Sequence, residues 1–341
     1  MVGPPPRTPV SPWISKLIPD LHLTSDTDQL PRVAVVTVTF NSASVLPEFL
    51  ASLDSQTNTN WTLIAVDNAS SDDSVDQLAA WGDPRLQLVR NPANVGFARA
   101  TNQGLRMAME QNIEWVLILN NDTSFSPDAL AVLMQRASAG DAAVYAPHIV
   151  YHRSPAVTWY AGGHFSSAWG FRAELEGEGQ SDWPASLKER WTEFAPGCCK
   201  LVSTDMLRTS GLFDEDYFVY WEDVDLCWRW SKHGIRIRFL ASPVIRHDVS
   251  ALTGGESSAF SIRMYQLNQV LFLRKNFGKL SIALRLVPIV SKIALCFILR
   301  KDSLSQSRAR LAAIAEGLRY ALVQIGDQSC LNNPIAARPA P

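Results

Sequence analysis

Three acidic positions have the company needed for chemistry. Asp67 closes the run WTLIAVDN (61–68) and opens the polar stretch DNASSDDS. A carboxylate there could accept the imide N–H of uracil or thymine, which presents one donor between two carbonyls. Equally, it could fix the turn and cap the next helix. Asp122 ends EWVLILNND (114–122), with Asn120 and Asn121 before it. That set offers only oxygen ligands and suits a hard divalent ion, Mg2+ or Mn2+. Such an ion would stabilise charge building on a leaving diphosphate; the other reading is a plain Asn/Asp turn.

The third position is the acidic pair Glu222 and Asp223 in WEDVDLCWRW (221–230). Both fall at a predicted helix start, where the dipole favours their charged forms. An ionised Asp beside a sugar acceptor could take the hydroxyl proton as that oxygen attacks. Helix capping is the alternative. Asp225 and Arg229, spaced i,i+4, read as a structural ion pair. His247 could add a nitrogen ligand to the metal or be a structural histidine. In NPANVGFARATNQG (91–104), Gly96 permits close backbone approach at a helix entry, and helix N-termini favour phosphate. The run is not GxGxxG, so dinucleotide binding is not supported.

The elements around these residues alternate. β-Branched or apolar runs at 33–40, 61–68, 86–91, 114–122 and 142–147 read as buried strands. Helical spacing occupies 45–53, 71–81 and 97–110, and a helix running to Gln135 has Ser126-Pro127 as its N-cap and N1 pair. This order predicts an α/β fold with a doubly wound, mostly parallel sheet flanked by helices. Ligands in such sheets sit beyond the C-terminal strand ends, where Asn41, Asp67 and Asp122 fall. Residues 148–195 suggest short antiparallel strands and a variable loop. A strand at 194–203, a short helix at 204–209, a helix from Glu222 to Gly234 and a strand at 235–241 follow, with 244–247 leading into a loop. From about Ser261 to Gln328 the chain reads as helical.

Composition narrows the class. The chain has 341 residues, 31 Lys+Arg against 33 Asp+Glu, and a net charge of -2. That balance argues against a nucleic-acid partner, since phosphate neutralisation needs a basic excess. The five cysteines, Cys198, Cys199, Cys227, Cys296 and Cys330, show no zinc spacing and fit a reducing compartment. Residues 1–20 are Pro-rich and lack the apolar core of a signal peptide. Leu280 to Leu299 is the segment closest to a membrane span, but it carries Arg285, Pro288 and Lys292. It reads as an amphipathic helix, either on a membrane surface or packed on its own domain. Of 11 Trp, seven lie between 159 and 230, a bias expected of a sugar-handling cleft.

Together VVTVTFNS (35–42), VDNASSDDS (66–74), NPANVGFARATNQG, LILNND (117–122), the stretch 196–234 and the loop with His247 resemble family 2 glycosyltransferases with the GT-A fold. The likeness is greatest to a bacterial rhamnosyltransferase-like branch acting on cell-envelope glycans. The resemblance implies a GT-A catalytic domain at 31–260, a Pro-rich arm at 1–30, a helical extension at 261–330 and a loose tail at 331–341. It implies that Thr39, Phe40 and Asn41 border the nucleotide and that Asp67 reads its base. Asn94, Gly96 and Phe97 would line the donor pocket, with Asn120 and Asn121 beside them. Asp122 matches the last position of the family's DxD motif, and His247 matches a histidine that completes the metal site in some members. Asp223 matches the general base, with Glu222 next to it.

The implied reaction is inverting, metal-dependent transfer of one sugar, rhamnose among the candidates, from a UDP- or dTDP-sugar to a glycan or lipid-linked acceptor. Arg229-Trp230 has Leu226 where the QxxRW motif of processive synthases requires Gln, so one sugar per encounter is expected. The implied location is the cytoplasm, with contact to the inner face of the cytoplasmic membrane through 280–299. Two rivals are a non-catalytic GT-A-like scaffold and a nucleotidyltransferase. The second would carry a basic, Gly-rich loop after the first strand, where this chain has FNSASV.

Overall fold

The computed structural model describes residues 30–181, 187–249 and 258–323. Its first half alternates as β1 (Val33–Thr39), α1 (Leu46–Asp54), β2 (Trp61–Asp67), α2 (Ser74–Trp81), β3 (Leu86–Arg90), α3 (Phe97–Glu110) and β4 (Trp115–Leu119). Next come β5 (Thr123–Phe125), α4 (Ala129–Ser138), β6 (Val144–Tyr151), β7 (Ser154–Tyr160), β8 (Gly163–Ser166), β9 (Arg172–Leu175) and β10 (Arg190–Thr192). The chain continues through β11 (Cys199–Ser203), α5 (Thr204–Ser210), α6 (Glu222–Lys232) and β12 (Ile237–His247). Three helices complete it: α7 (Ala259–Asn276), α8 (Lys279–Ile298) and α9 (Leu304–Val323).

The main sheet runs β10-β12-β6-β11-β4-β1-β2-β3, with β5 on β12 and β7 on β6. Strands β3, β2, β1 and β4 are mutually parallel, as the alternating pattern predicts. β11 then enters antiparallel between β4 and β6, and β12 lies parallel to β6. Val33, Ala34, Val35 and Val36 are buried on both faces of β1, which is why the run has no polar alternation. Helices α1 and α3 cover this sheet through Leu46, Phe49, Leu53, Leu105 and Ala108.

Several boundaries differ from the sequence reading, each because a side chain is used elsewhere. α2 starts at Ser74, not Ser71. Asn41 Oδ1 takes the Ser71 N–H at 2.8 Å, and Asp72 accepts from Ala43 N and Ser74 N, so these residues tie two loops together. α4 starts at Ala129 with Asp128 as N-cap. The carbonyls of Ser126 and Pro127 are taken by Gln56 and Thr57, which holds that pair outside the helix. The 114–122 strand stops at Leu119. The segment 244–247, expected to lead into a loop, is the end of the strand itself, paired with β6 and with the unforeseen β5. Partner strands supply the backbone hydrogen bonds there, which local polarity cannot reveal.

Cys198, Cys199 and Cys227 are buried free thiols, and Cys296 is half-buried; Cys330 lies outside the described residues. Trp221 and Trp230 are core residues, and Trp228 packs among Phe165, Phe171 and Phe272. Trp169 and Trp191 are exposed, and Trp183 lies outside the described residues.

α7 joins the same core through Val270, Leu271, Phe272 and Leu273. α8 is long and apolar enough to cross a membrane by length and composition. It presents Leu280, Leu284, Val287, Leu295 and Ile298 outward, while Ile289 and Ile293 face the protein. The polarity of an amphipathic surface helix is thus inverted: Arg285 turns inward and donates to the Gly170 carbonyl at 2.6 Å.

Candidate active site

Parallel strands β1, β2 and β4 end side by side, and the loops leaving them form one wall. Thr39 and Asp67 are register partners, and the Thr39 hydroxyl donates to Asp67 Oδ1 at 3.1 Å. Asp67 Oδ2 accepts the Ser70 N–H, so this buried carboxylate shapes its own turn. Asn41 is exposed with φ near +51°, a left-handed position that Asn tolerates. Half-buried Phe40 donates its N–H to Ser42 Oγ. Asn68, which the sequence reading passed over, braces the wall. Its amide donates to the Gly96 carbonyl, and its oxygen accepts from Asn91 and from Val95 N.

Asn121 anchors the third loop, donating to the Val38 carbonyl at 3.0 Å and to Ser42 Oγ at 3.1 Å. Asn120 is held by its backbone, whose N–H reaches the Cys198 carbonyl at 2.8 Å. Between these restraints Asp122 is aimed at His247 from the end of β12. Asp122 Oδ1 and His247 Nε2 are 3.2 Å apart, and both side chains are more than nine-tenths buried. Asp122 Oδ1 and His247 Nδ1 have no hydrogen-bond partner. The His247 ring is set edge-on by Trp159, 4.8 Å between centroids.

These donors fit a divalent ion. Two ligands on bonds of about 2.1 Å lie about 3.0 to 3.4 Å apart when adjacent on one ion. Among the described residues no cluster of three or more His, Cys, Asp or Glu side chains converges. Among the described residues two donors stand together here, and an ion held by them would take its other ligands from elsewhere.

The opposite wall is α6. Tyr220 and Trp221 both have positive φ, 67° and 73°, a left-handed pair that costs free energy and turns the chain into the helix. Asp223 is half-buried, and its Oδ2 accepts the Gly197 N–H at 2.8 Å. Glu222 is buried, and its Oε2 has no partner. Burial, and secondarily the charge of Asp223, pushes the Glu222 carboxyl above its ordinary range. Gly197 also sits against Phe97, so the start of α3 and the acidic pair meet there. Burial, together with the charges of Cys199, Asp122 and Asp223, raises the Cys198 thiol. Asp225 and Arg229 form the expected ion pair at 2.7 Å.

Gly96 has a different immediate reason from the one read in sequence. A Cβ there would lie 2.6 Å from the Phe218 carbonyl, which also accepts the Phe97 N–H at 2.6 Å. The close approach is between two segments of this chain, and that carbonyl takes the first N–H of α3. Asn94 caps locally, accepting the Gly96 N–H at 3.0 Å. The segment 213–221 is held from both sides. Arg99 and Arg106 clasp Glu215, while Lys275 of α7 binds Asp214 and Asp216. Asn268 of α7 donates to the carbonyls of Val219 and Tyr220 at 2.8 and 2.9 Å. Single-residue patterns gave no signal for Asn268 or Gly197, because their partners are about 50 and 26 residues away.

Comparison with known proteins bears on the family and the fold. Residues 34–209 match the model described as glycosyl transferase family 2. The N-acetylglucosaminyl-diphospho-decaprenol L-rhamnosyltransferase of Mycobacterium tuberculosis is 26% identical over 311 residues, covering 85% of this chain and 99% of that protein. A mannosyltransferase from Pyrobaculum calidifontis, solved with GDP-Man and Mn2+, superposes with a TM-score of 0.52 at 20% identity, covering 91% of this chain and 86% of that one. S. aureus TarS 1–349 with UDP-GlcNAc gives 0.52 at 15% identity, covering 84% and 81%. The structural likeness speaks for the fold alone, the GT-A arrangement.

Proposed function

The chain belongs to glycosyl transferase family 2, and from that premise we propose an inverting, single-sugar transfer from a UDP- or dTDP-sugar to a lipid-linked cell-envelope acceptor. Rhamnose is the sugar we favour, since the Mycobacterium tuberculosis relative matches nearly end to end. We place the catalytic unit at 31–260 and the helical extension at 261–330. The observation that carries the reading is that adjacent residues tie to both acidic loops: the Gly197 N–H holds Asp223 at 2.8 Å, and the Cys198 carbonyl takes the N–H of Asn120, two residues before Asp122, at 2.8 Å.

Asp223 takes the proton of an acceptor hydroxyl. That oxygen forms a bond to the anomeric carbon as the bond to the diphosphate breaks on the opposite face, which inverts the configuration. The Gly197 N–H at 2.8 Å fixes which way the carboxylate points. Burial favours the neutral form of Glu222, which limits the negative charge beside the base. A divalent ion held by Asp122 and His247 would neutralise charge on the departing diphosphate. Asp67, with Thr39 and the loop at Asn41, borders the base; Asn94, Gly96 and Phe97 border the sugar-diphosphate. The apolar outer face of α8 is suited to contact at a membrane surface.

Asp223→Asn tests the assignment. Transfer should fall by about 10²- to 10⁴-fold, the usual worth of a positioned base, while UDP or dTDP binding by calorimetry stays within twofold. A variant that keeps most of its transfer activity would sink the role given to Asp223.

A further inference from the structure

A cavity with a mixed apolar and charged lining lies outside the Asp122–His247 and Glu222–Asp223 centres. It has a volume of about 140 Å³ and is enclosed by α7, α8, α9 and the turn between β8 and β9. Three cations line it, Arg172, Lys292 and Arg310, against one carboxylate, Asp302. Arg310 is engaged with Asp302 at 2.9 Å, and Arg172 with Glu174 at 2.9 Å. No ion pair is found for Lys292 among the described residues. Lys292 is an exposed residue of the lining, and its ammonium is pulled below its ordinary range by partial desolvation and then by the charges of Arg172 and Arg310. An anion in the cavity would relieve that repulsion.

The cavity is built on fixed parts. Arg285 and Gln269 bind the carbonyls of Gly170 and Phe171, at 2.6 and 3.1 Å, which fixes the turn that carries Trp169 to the cavity's edge. Trp169 is 39% exposed. Two neighbours define the setting. On one side Tyr265, which lines the cavity, packs 5.5 Å from the ring of Trp221, the residue before the acidic pair. On the other, Ile289, Lys292, Ile293 and Cys296 line it from α8, whose outer surface carries Leu284, Val287 and Ile298 at 65%, 64% and 71% exposure. Part of the cation-bearing lining and an exposed apolar stripe therefore share one helix, and that combination suits an amphiphile with an anionic head.

We propose that this cavity is a phosphate subsite for a lipid-borne diphosphate, with the head group among Lys292, Arg172 and Arg310 and the hydrocarbon on the outer side of α8. The proposal rests on the reading of the chain as a transferase to a lipid-linked acceptor, and gives that acceptor's head group a place distinct from the donor's diphosphate. Lys292 supplies the uncommitted charge, whereas the two arginines hold the walls.

Farnesyl diphosphate, inorganic pyrophosphate and farnesol, each titrated by calorimetry into the full chain with UDP and Mn2+ saturating the donor side, test this. Farnesyl diphosphate should bind most tightly, pyrophosphate more weakly, and farnesol weakest. Lys292→Gln should weaken farnesyl diphosphate about tenfold, the equivalent of about 1.4 kcal/mol, and Lys292→Glu should weaken it further. UDP affinity and thermal unfolding should be unchanged in both variants. Unaltered farnesyl diphosphate binding in both variants would overturn the subsite. Pyrophosphate binding as tightly as farnesyl diphosphate would overturn its lipid character. If wild-type protein failed to bind UDP, the transferase reading would fall, while the dependence on Lys292 would still decide the cavity.

Discussion

Asp122 Oδ1 and His247 Nε2 approach to 3.2 Å although 125 residues separate them in sequence. Strand pairing produces this contact. β5 begins at Thr123 and pairs with the end of β12, placing Thr123 opposite His247, and Asp248 N donates to the Asp122 carbonyl at 2.9 Å. The relative placement of the two side chains is thus fixed by backbone pairing.

Removal of either donor should expose that role. Asp122→Asn should lower metal-dependent transfer by at least 100-fold. His247→Gln should raise the Mn2+ concentration needed for half-activity by about 10- to 100-fold. Metal titration of nucleoside diphosphate release measures both; an unchanged metal requirement in His247→Gln would show that the histidine is structural.

Glu222 should make stability depend on pH with a defined sign. Its folded pKa lies above the ordinary value, so the folded state holds the proton more tightly than the unfolded chain. Stability is then full below the ordinary Glu range and declines as pH rises toward the folded value, by at most about 1.4 kcal/mol per pH unit. Glu222→Gln should remove this slope in denaturant unfolding measured from pH 5 to 8. An identical slope in the variant would refute the burial effect.

Gly96→Ala should destabilise the protein by about 1–3 kcal/mol. The added Cβ meets the Phe218 carbonyl at 2.6 Å, and the φ of 89° is unfavourable for any L side chain. Thermal unfolding should show the loss. Donor binding should also weaken, because Gly96 joins the donor wall to segment 213–221.

Asn268→Ala tests whether α7 positions the base. The substitution frees the carbonyls of Val219 and Tyr220 beside the left-handed pair. Each unsatisfied buried group costs about 1–3 kcal/mol. We expect kcat to fall with donor KM nearly constant, and Asn268→Gln to restore part of it. A proportional loss in kcat and donor binding would indicate general loosening instead.

Much of this was legible before folding. The unbroken apolar runs of β1, β2 and β4 leave only burial between helices as a solution, and polar residues directly after them mark the functional edge. The family followed from several short motifs in order. Less legible were the edges of elements. Ser71 to Asp73 look like a helix start but spend their donors and acceptors on the loop at Asn41. Likewise, Gly96 read as a place for ligand approach, and the structure shows another segment of backbone there.

The sequence alone determined the parallel half of the sheet and the residue types at its C-terminal ends, because hydrophobic period and turn chemistry are local properties. Tertiary structure alone decided which of those residues meet. The Asp122–His247 contact, the Gly197 hold on Asp223, the α7 clasp on Tyr220 and the outward apolar face of α8 all arise from backbone pairing and packing between distant segments. No local pattern encodes the distance between them.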